Sequence, residues 1–526
     1  MHKILIADKL GQEGLDRLDQ MEDITYDVKT GLSKAELIEI IGDYDGLIVR
    51  SAAKPDADVL EAGRNLKVVG RAGIGVDNID IDAATRLGII VMNTPHANSV
   101  ATAEQTLTLM LAISRHTAVA HASVLAGEWQ RSKYVGLELH GKTLGVVGFG
   151  RIGRLVTERA QAFGMNVIAY DPYVSEAVGR HMNVNLVDLD ELYAQADYIT
   201  LHSVLTKETE KLINAEAIAQ MKEGVIIINV ARGKLVDEQA LADGLKNGRV
   251  GGAALDVFHT EPPEDSPLIG LPNVLHTPHL GASTQEAQRE VAIQMVEQVA
   301  DVLRGVDYRN ALNVPFRSGP DFVTIRPYMD LAEKLGAIQQ ALAPSPIKNI
   351  ELEVAGEGME EMVRPVAAAL LKGILKATHE HVNTINAPVI AQQDNLKIEQ
   401  AFDLRQTDYA NLISCRAHWN GGSRLISGVL FAGRTPRVVQ VDNYHVEAKP
   451  EGNVLILLNE DVPGVIGQVA TILATYGVNI GEWRLGRTAP GGTALNFINL
   501  DGTPPTAALD ALKQAKNVQS LHLIEL

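Results

Sequence analysis

The sequence predicts an α/β protein of several domains, built mainly on parallel β-sheets. Short apolar segments alternate with helix-like stretches from Lys3 to Thr277, which is the rhythm of strands joined by helices. The 526 residues exceed what one hydrophobic core usually serves. Hydrophobic residues make up 46% and charged residues 21%, as in ordinary folded domains.

Charge and cysteine content limit the function classes. A formal net charge of -18 disfavours non-specific binding to nucleic acid or to an anionic membrane, so we expect a small-molecule partner. The one cysteine, Cys415, cannot form an internal disulfide, and Met1–Asp8 lacks the apolar stretch of a signal peptide. Apolar runs such as Val225–Val230 are far shorter than the roughly 20 residues of a membrane helix. A cytoplasmic location is the expectation.

Two α/β units are predicted in the first part of the chain. The strands of the first unit are Ile4–Ala7, Gly46–Val49, Val68–Val69 and Ile89–Val91. An Ala-, Thr- and Leu-rich stretch without Gly or Pro, Asn98–His116, predicts one long helix that opens the second unit. Six strands then suit a doubly wound sheet: Gly141–Phe149, Val167–Tyr170, Tyr198–His202, Val225–Val230, Gly252–Val257 and Val274–Thr277.

Two further units follow a helical stretch at Thr284–Leu303 and a predicted linker at Asn313–Pro315. Pro320–Pro450 mixes helix-like and strand-like stretches and carries no recognisable catalytic motif. From Asn453 the order strand, helix, strand, strand, helix, strand is typical of a ferredoxin-like sandwich. Its predicted outer strands are Val454–Leu458 and Leu521–Ile524, and its first helix is Ile466–Tyr476.

A dinucleotide site is predicted at Gly148-Phe149-Gly150-Arg151-Ile152-Gly153, which follows an apolar strand and opens a helix. Its glycines permit a tight turn, close approach of a pyrophosphate and close packing of the helix. Asp171 ends the next strand 18 residues after Gly153, where a carboxylate binds ribose hydroxyls. Asp171 would repel a 2'-phosphate, and no Arg or Lys lies between Asp171 and Arg180, so NAD is favoured over NADP.

Three polar residues follow successive strands of the second unit: Arg232, Glu261 and His279. The carboxyl ends of such strands face the ligand crevice. Oxidation of a 2-hydroxy acid needs a base, a cation for the carboxylate and an acid that tunes the base. Taken singly, Arg232 could be a helix-capping cation, Glu261 a solvated loop acid and His279 a buried histidine whose hydrogen bonds are satisfied. Together beside a nucleotide fold they favour an oxidoreductase.

The surrounding motifs resemble the D-2-hydroxyacid dehydrogenase family: Asn229-Val230-Ala231-Arg232-Gly233, Asp256-Val257-Phe258 with Glu261-Pro262, and Pro278-His279-Leu280-Gly281. The resemblance implies that His279 is the acid/base, that Glu261 orients it and stabilises its protonated form, and that Arg232 binds the carboxylate. It also implies a Rossmann-type nucleotide domain (98–286) inserted in a flavodoxin-like substrate domain (1–97, completed by 287–313).

The implied NAD contacts come from the glycine loop and from the strand ends, with Asp256 holding the nicotinamide amide. They are Gly148, Gly150, Arg151, Ile152, Gly153, Asp171, Ser203, Val230, Ala231, Arg232, Asp256, His279, Gly281 and Ala282. His202-Ser203-Val204 lacks the proline that the family has after the histidine, which affects loop shape more than chemistry.

The first unit offers residues for an anionic substrate: Arg50, Ser51, Arg71, Ile74, Gly75 and Asn98. Backbone amides at Ile74 and Gly75 suit a carboxylate, while Arg50 and Ser51 suit a phosphate. This set is similar to the branch of the family that oxidises 3-phospho-D-glycerate, although exposed arginines beside a turn are the simpler alternative. Trp129, Arg131 and Lys133 stand in a segment that, in dimers of the family, reaches the partner subunit.

The C-terminal segment resembles an ACT domain, a module that binds amino acids at paired interfaces, through Leu458-Asn459-Glu460-Asp461-Val462-Pro463-Gly464 and Tyr476-Gly477-Val478-Asn479-Ile480. The implied units are an α+β intervening domain (314–449) that resembles allosteric substrate-binding domains and a ferredoxin-like ACT domain (450–526). L-serine is the implied effector, at Asn459, Asp461 and Asn479, in a homodimer or homotetramer of a serine-biosynthesis enzyme. Asn459 and Asp461 replace a histidine and an asparagine of some serine-regulated members. A purely structural role of the C-terminal segment, as an oligomerisation module, therefore remains an alternative.

Other functions remain possible at this point. A glyoxylate, hydroxypyruvate or D-lactate reductase would share the catalytic residues, but it has no reason to carry the tail. A corepressor-like scaffold would bind NAD without turnover, and the acidic charge disfavours it. His379-Glu380-His381 lacks a third convergent ligand, so no metal is expected.

Overall fold

The computed structural model describes residues 1–316, 322–403 and 409–526. The first unit contains β1 (His2–Ile6), α1 (Gln12–Leu18), β2 (Ile24–Val28), α2 (Lys34–Ile40), β3 (Gly46–Val49), α3 (Ala57–Ala62), β4 (Val68–Arg71), α4 (Ile81–Leu87) and β5 (Ile90–Asn93). Its strands form a parallel sheet in the order β2-β1-β3-β4-β5, which is the flavodoxin-like order. β2 was not predicted from the sequence because this edge strand carries Asp27 and is only half-buried.

The second unit forms a parallel sheet of seven strands in the order β12-β11-β10-β9-β6-β7-β8. Its elements are α5 (Ser99–Ser114), α6 (Thr117–Leu125), β6 (Thr143–Val147), α7 (Arg151–Ala162), β7 (Asn166–Tyr170), α8 (Glu176–His181), β8 (Asn185–Leu186), α9 (Leu189–Gln195), β9 (Tyr198–Leu201), α10 (Ala215–Gln220), β10 (Val225–Asn229), α11 (Glu238–Lys246), β11 (Val250–Leu255) and β12 (Val274–His276). Helix α12 (Gln285–Leu303) follows them in the chain.

The predicted helix Asn98–His116 is present as α5, and His116, with φ +52, separates it from a second helix, α6, that was not predicted. The predicted number of strands in this unit was wrong. The sheet has seven strands rather than six, because the two-residue β8 pairs with β7 at the sheet edge. So short a strand has no apolar pattern of its own.

Helix α12 returns to the first unit and packs on β3, β4 and α1. Val291, Met295 and Val299 lie in the core of the first sheet. A Cβ at Gly70 would lie 2.2 Å from the sulfur of Met295, so this strand needs glycine where the helix crosses it. The chain therefore enters the second unit at α5 and returns to the first unit at α12.

The third unit places helices against a mixed sheet in the order β14-β13-β15-β16-β17-β18, in which only β13 and β14 pair in parallel. Its elements are α13 (Phe322–Leu342), β13 (Asn349–Gly356), α14 (Val363–Leu375), α15 (Ala387–Gln393), β14 (Lys397–Phe402), β15 (Asn411–Trp419), β16 (Gly422–Phe431), β17 (Thr435–Val441) and β18 (Tyr444–Ala448). Among the described residues, short 3-10 helices span Ile41–Asp43, Arg131–Tyr134 and Gly233–Leu235 in the first two units and Glu360–Met362 in the third.

The last unit has the predicted element order: β19 (Asn453–Glu460), α16 (Val465–Thr475), β20 (Ile480–Arg487), β21 (Thr493–Leu500), α17 (Thr506–Lys513) and β22 (Val518–Glu525). The sheet order is β20-β21-β19-β22, so the first strand is interior and its prediction as an outer strand was wrong. In a ferredoxin-like sandwich each crossover returns the chain beside an earlier strand, which encloses the first one.

Strand β19 is buried on both faces, and the two faces belong to different cores. Leu455 and Leu457 pack with α16 and α17. Val454 and Ile456 pack in the core of the third unit, which includes residues of α13 and α14. The third and fourth units therefore share one continuous hydrophobic core.

The segment predicted as a linker is tied to the first sheet. The side chain of Asn313 accepts a hydrogen bond from the Val91 N–H at 2.9 Å and donates to the Ile89 carbonyl at 2.9 Å. Asn383 of the third unit donates to the Gly88 carbonyl at 2.7 Å, and Ile385 lies in the core of the first unit. None of the described helices is long and apolar enough to cross a membrane.

Candidate active site

The glycine-rich turn joins β6 to α7 and leaves room above the start of the helix. Gly148 has φ +95, and a Cβ there would lie 2.7 Å from the carbonyl carbon of His202. A Cβ at Gly153 would lie 2.2 Å from the Gly148 carbonyl oxygen, so glycine keeps the helix close to the turn. At Gly150, the N-cap of α7, no described atom lies within 4 Å of the Cβ position. The first N–H groups of α7 thus face space suited to a pyrophosphate.

Asp171 follows β7 and lies beside this turn. Its Oδ2 accepts a hydrogen bond from the Phe149 N–H at 2.9 Å, and its Oδ1 accepts from the Tyr173 N–H at 2.9 Å. Each carboxylate oxygen keeps a second acceptor position, and the residue is partly exposed. Ser203 donates to the Val147 carbonyl at 3.2 Å on the neighbouring strand end. These residues fit a dinucleotide with free ribose hydroxyls.

Asp256 is fully buried after β11 and holds the turn that carries His279. Its Oδ1 accepts from the Leu280 N–H at 2.8 Å, and its Oδ2 accepts from the Gly281 N–H at 2.7 Å. The His279 N–H donates to the Asp256 carbonyl at 2.9 Å. Contact between Asp256 and a nicotinamide amide stays a prediction, for which Oδ2 retains one acceptor position.

His279 and Glu261 form a hydrogen-bonded pair. Nδ1 of His279 lies 2.8 Å from Oε2 of Glu261, while Oε1 of Glu261 accepts from the Phe258 N–H at 3.1 Å. Burial acts to raise the pKa of Glu261, but the hydrogen bond and charge of His279, the Phe258 N–H and the Arg232 cation leave that pKa below its usual value. The His279 side chain is 49% exposed, so its second ring nitrogen is accessible to a ligand.

Arg232 follows β10, the strand next to β11, so the three predicted catalytic residues lie at one edge of adjacent strands. Asn229 shapes this loop: it donates to the Arg232 carbonyl at 2.9 Å and accepts from the Ala231 N–H at 3.0 Å. The Arg232 guanidinium donates from Nε to Oδ2 of Asp77 at 2.9 Å and from Nη1 to the Ala231 carbonyl at 2.7 Å.

The strand ends of the first sheet bring two more arginines to the same place. Arg50 follows β3 and Arg71 ends β4. Burial lowers the pKa of Arg71 to about 10, and repulsion from Arg232 and Arg50 acts in the same direction. Three guanidinium groups in one cluster are stabilised by an anionic ligand.

Polar atoms without a partner lie at the ends of β4 and β5 and at the start of α5. Among the described residues, buried atoms without a hydrogen bond include Arg71 Nε, Asn93 Oδ1, Thr94 Oγ1, Asn98 Oδ1 and Ser99 Oγ. The backbone N–H groups of Ile74 and Gly75 likewise make no hydrogen bond within the described ranges. Buried polar groups nearly always have partners, so this cluster is suited to a polar ligand. Ser51 is exposed at the rim.

Sequence reasoning did not single out several residues that organise the cleft. Asp8, after β1, accepts from the Arg50 N–H at 2.6 Å. Asn78 donates to the Arg50 carbonyl at 2.9 Å, and Asn93 donates to the Ile74 carbonyl at 2.6 Å. Each lies at or just beyond the carboxyl end of a strand of the first sheet, which is the signal that could have identified them.

Three protein-family models match the chain. The "D-isomer specific 2-hydroxyacid dehydrogenase, NAD binding domain" matches residues 107–281, the "D-3-phosphoglycerate dehydrogenase intervening domain" matches 324–442, and the "ACT domain" matches 453–517. D-3-phosphoglycerate dehydrogenase of Methanocaldococcus jannaschii is 43% identical over 528 aligned positions, covering 100% of both chains. The chain belongs to the D-3-phosphoglycerate dehydrogenase family. The enzyme of that name from Bacillus subtilis is 37% identical, again over 100% of both chains.

Solved structures also resemble part of this member of the D-3-phosphoglycerate dehydrogenase family. D-lactate dehydrogenase from Aquifex aeolicus, solved with NAD and lactic acid, is 28% identical with a TM-score of 0.53. The match covers 58% of this chain and 96% of that chain. The predicted fold, with a Rossmann-type unit, an intervening domain and an ACT domain, is confirmed.

The three predicted effector residues each contact a different partner within this chain of the D-3-phosphoglycerate dehydrogenase family. Asn459 is buried and accepts a hydrogen bond from Asn496. Asp461 accepts from Arg487 at 3.2 Å, and Asn479 donates to Asp501. The structure does not join the three side chains in one pocket of this chain.

The predicted partner-reaching segment is exposed on this dehydrogenase. Trp129 is 77% exposed, and Arg131 and Lys133 are exposed beside it. Val124 and Leu125, at the end of α6, are 55% and 76% exposed. Nε2 of His379 lies 3.5 Å from Oδ2 of Asp394. No group of three metal-ligating side chains occurs in the described parts of the chain.

Proposed function

We propose that this protein oxidises 3-phospho-D-glycerate to 3-phosphohydroxypyruvate with NAD, the first step of L-serine biosynthesis. The observation that carries the proposal is the guanidinium cluster of Arg50, Arg71 and Arg232 beside the His279–Glu261 pair. Relatives that carry the name D-3-phosphoglycerate dehydrogenase match the chain from end to end. A substrate with a carboxylate at one end and a phosphate at the other needs cations on both sides of the reacting carbon.

In the proposed mechanism, NAD supplies the acceptor for the hydride that leaves C2 of the substrate. Arg232 binds the substrate carboxylate and stabilises the carbonyl oxygen as it forms. His279 takes the hydroxyl proton on its second ring nitrogen, and Glu261 stabilises the resulting imidazolium through Nδ1. Arg50 and Ser51 would hold the phosphate, with Arg71, Asn98 and the amides of Ile74 and Gly75 along the substrate.

The cofactor would be held by the residues that the resemblance implies. The start of α7, with Gly148, Gly150, Arg151, Ile152 and Gly153, would hold the pyrophosphate, and Asp171 would bind the ribose hydroxyls. Ser203, Val230, Ala231, Asp256, Gly281 and Ala282 lie on the strand ends where the nicotinamide half would bind. The open space at Gly150 and the acceptor positions on Asp171 support this assignment.

Assembly, regulation and location belong to the proposal as well. The exposed apolar residues of α6 and Trp129 support a homodimer, in which Arg131 and Lys133 add positive charge to the partner's cleft. Pairs of such dimers would join through ACT domains into a homotetramer in the cytoplasm. Serine would bind between ACT domains, near Asn459, Asp461 and Asn479. The proposed units are 1–97 with 287–313, 98–286, 314–449 and 450–526.

One assay tests the catalytic proposal directly. Purified protein is given NAD and a panel of D-2-hydroxy acids, with and without serine, and NADH formation is followed. We expect the highest kcat/KM with 3-phosphoglycerate. A preference for D-lactate or glycerate would contradict the substrate assignment, and bound NAD without any turnover would favour a scaffold.

A further inference from the structure

Arg232 and Asp77 link the two parallel sheets across the cleft. Arg232 follows β10 of the second sheet, and Asp77 follows β4 of the first. Nε of Arg232 lies 2.9 Å from Oδ2 of Asp77, and the two side chains are 28% and 59% exposed. An exposed ion pair contributes little to stability, so its value lies in the geometry that it fixes.

The hydrogen bonds of Arg232 fix the direction of its guanidinium plane. Nε donates to Asp77 and Nη1 donates to the Ala231 carbonyl at 2.7 Å. Nη2 lies over the Gly75 backbone, where an added Cβ would be 1.6 Å from it. The remaining N–H bonds are therefore available beside the turn whose own N–H groups, at Ile74 and Gly75, have no partner in the described chain.

We propose that Asp77 is a positioning residue that aims the Arg232 guanidinium at the substrate carboxylate. This inference rests on the proposed function, since it needs a 2-hydroxy acid in this cleft. The Asp77 charge by itself repels an anionic substrate, so electrostatics alone predicts that its removal improves binding. The positioning role predicts the opposite, because a free arginine must lose side-chain freedom each time it meets the substrate.

The neighbouring charges are consistent with this role. Burial is the main cause of the lowered pKa of Arg71. The Arg232 charge acts to lower that pKa further, while the Asp77 charge acts to raise it. Asp77 therefore lies close enough to offset part of the repulsion among the guanidinium groups. It holds one of those cations in place without contacting His279 or Glu261.

The test compares Asp77→Ala, Asp77→Asn and the control Asp82→Ala, which removes an exposed carboxylate of α4 in the same unit. We expect Asp77→Ala to lower kcat by about 10- to 100-fold, the cost of a small misplacement of a catalytic group, and to raise the KM of the hydroxy acid. Asp77→Asn should recover most of kcat, because its amide oxygen accepts the same hydrogen bond. Asp82→Ala should match wild type.

Two readouts separate positioning from a loss of folded protein. Rates are expressed per NADH-binding site, and calorimetry measures the binding of 3-phosphoglycerate without NAD, which should weaken in Asp77→Ala. Gly75→Ala, whose Cβ would lie 1.6 Å from Nη2 of Arg232 and 3.0 Å from Oδ2 of Asp77, should displace the pair and reproduce the defect. Unchanged kcat, or a lowered KM, in Asp77→Ala would overturn the inference.

The failure of the proposed function is distinguishable from the failure of this inference. The ratio of the kcat of Asp77→Ala to that of wild type is measured with whichever 2-hydroxy acid the wild type oxidises fastest. A different preferred acid refutes the substrate assignment, yet it leaves the ratio for Asp77→Ala intact as a test of Arg232 positioning.

Discussion

Nδ1 of His279 lies 2.8 Å from Oε2 of Glu261, although 18 residues separate them along the chain. The pair is assembled by two strand ends, β11 and β12, that neighbour each other in the sheet. Because Glu261 keeps a pKa below its usual value, its carboxylate stays charged at neutral pH and can stabilise a protonated His279.

We therefore expect His279→Ala to lower kcat by about 10²- to 10⁴-fold, with smaller or comparable losses in Glu261→Ala and Arg232→Ala. NAD affinity should change little, because the glycine loop and Asp171 provide separate contacts. Steady-state kinetics and NADH fluorescence titration measure the two quantities. Near-normal turnover in His279→Ala would refute the mechanism, and His181→Ala, an exposed histidine of α8, is the matched control.

Asp171→Ala should weaken the binding of NAD and reduce the preference of the protein for NAD over NADP. The carboxylate is held by the Phe149 and Tyr173 N–H groups, so it is fixed where it would bind ribose hydroxyls and repel a 2'-phosphate. Competitive binding of both dinucleotides to wild type and variant measures the change. The idea fails if the wild-type protein already prefers NADP.

His202 should make the stability of the second unit depend on pH. Burial lowers the pKa of its imidazole from 6.5 to about 3, so the folded chain keeps it neutral, hydrogen-bonded to Thr200 at 3.0 Å. Below pH 6.5 the unfolded chain binds a proton that the folded chain does not bind. This stabilising effect is full above pH 6.5 and is lost progressively as the pH falls towards 3.

Urea unfolding at pH 7 and pH 5 measures this dependence. We expect wild type to lose about 1 to 2 kcal/mol more than His202→Asn between the two pH values, after allowing for the partial exposure of the residue. His181→Asn should lose as much as wild type. Equal losses in wild type and His202→Asn would contradict an imidazole that stays neutral in the folded chain.

Much of the site could be predicted from the sequence because parallel strands place their carboxyl ends together. That rule alone gathers Arg232, Glu261 and His279 at one edge, before any distance is known. The same rule places Arg50 and Arg71 at the edge of the first sheet. Local periodicity and turn residues suffice for this level of prediction.

The remainder depends on contacts between units, which no local pattern encodes. The Asp77–Arg232 pair joins residues that follow strands of two different sheets, and the Arg232 charge that acts to lower the pKa of Arg71 likewise comes from the other sheet. The shared core around Val454 and Ile456 likewise requires the third and fourth units to be in place. Helix α6 escaped prediction because it follows α5 after a left-handed histidine, His116, and no glycine or proline marks its start.

A chain cut after Asn313 should retain catalysis. Every residue of the proposed NAD site and active site precedes the cut, and Asn313 keeps its hydrogen bonds to Ile89 and Val91. The cut removes Ile385, which is 7% exposed against the core of the first unit. Loss of the Ile385 side chain from this core should lower the free energy of unfolding by about 1.5 to 3 kcal/mol, which is the contribution of burying one large apolar side chain. Ile385→Ala in the full chain is the control for that loss.

Serine titration of both forms then separates regulation from chemistry. If serine binds between ACT domains, it acts by favouring one subunit arrangement, with a coupling of about 1 to 3 kcal/mol. Inhibition should then be present in the full chain and absent after the cut, because the cut removes the ACT domain in which serine would bind. Equal inhibition of the two forms would place the effector in the catalytic half. Inhibition of neither form would refute serine as the effector, in keeping with Asn459 facing Asn496 and Asp461 facing Arg487.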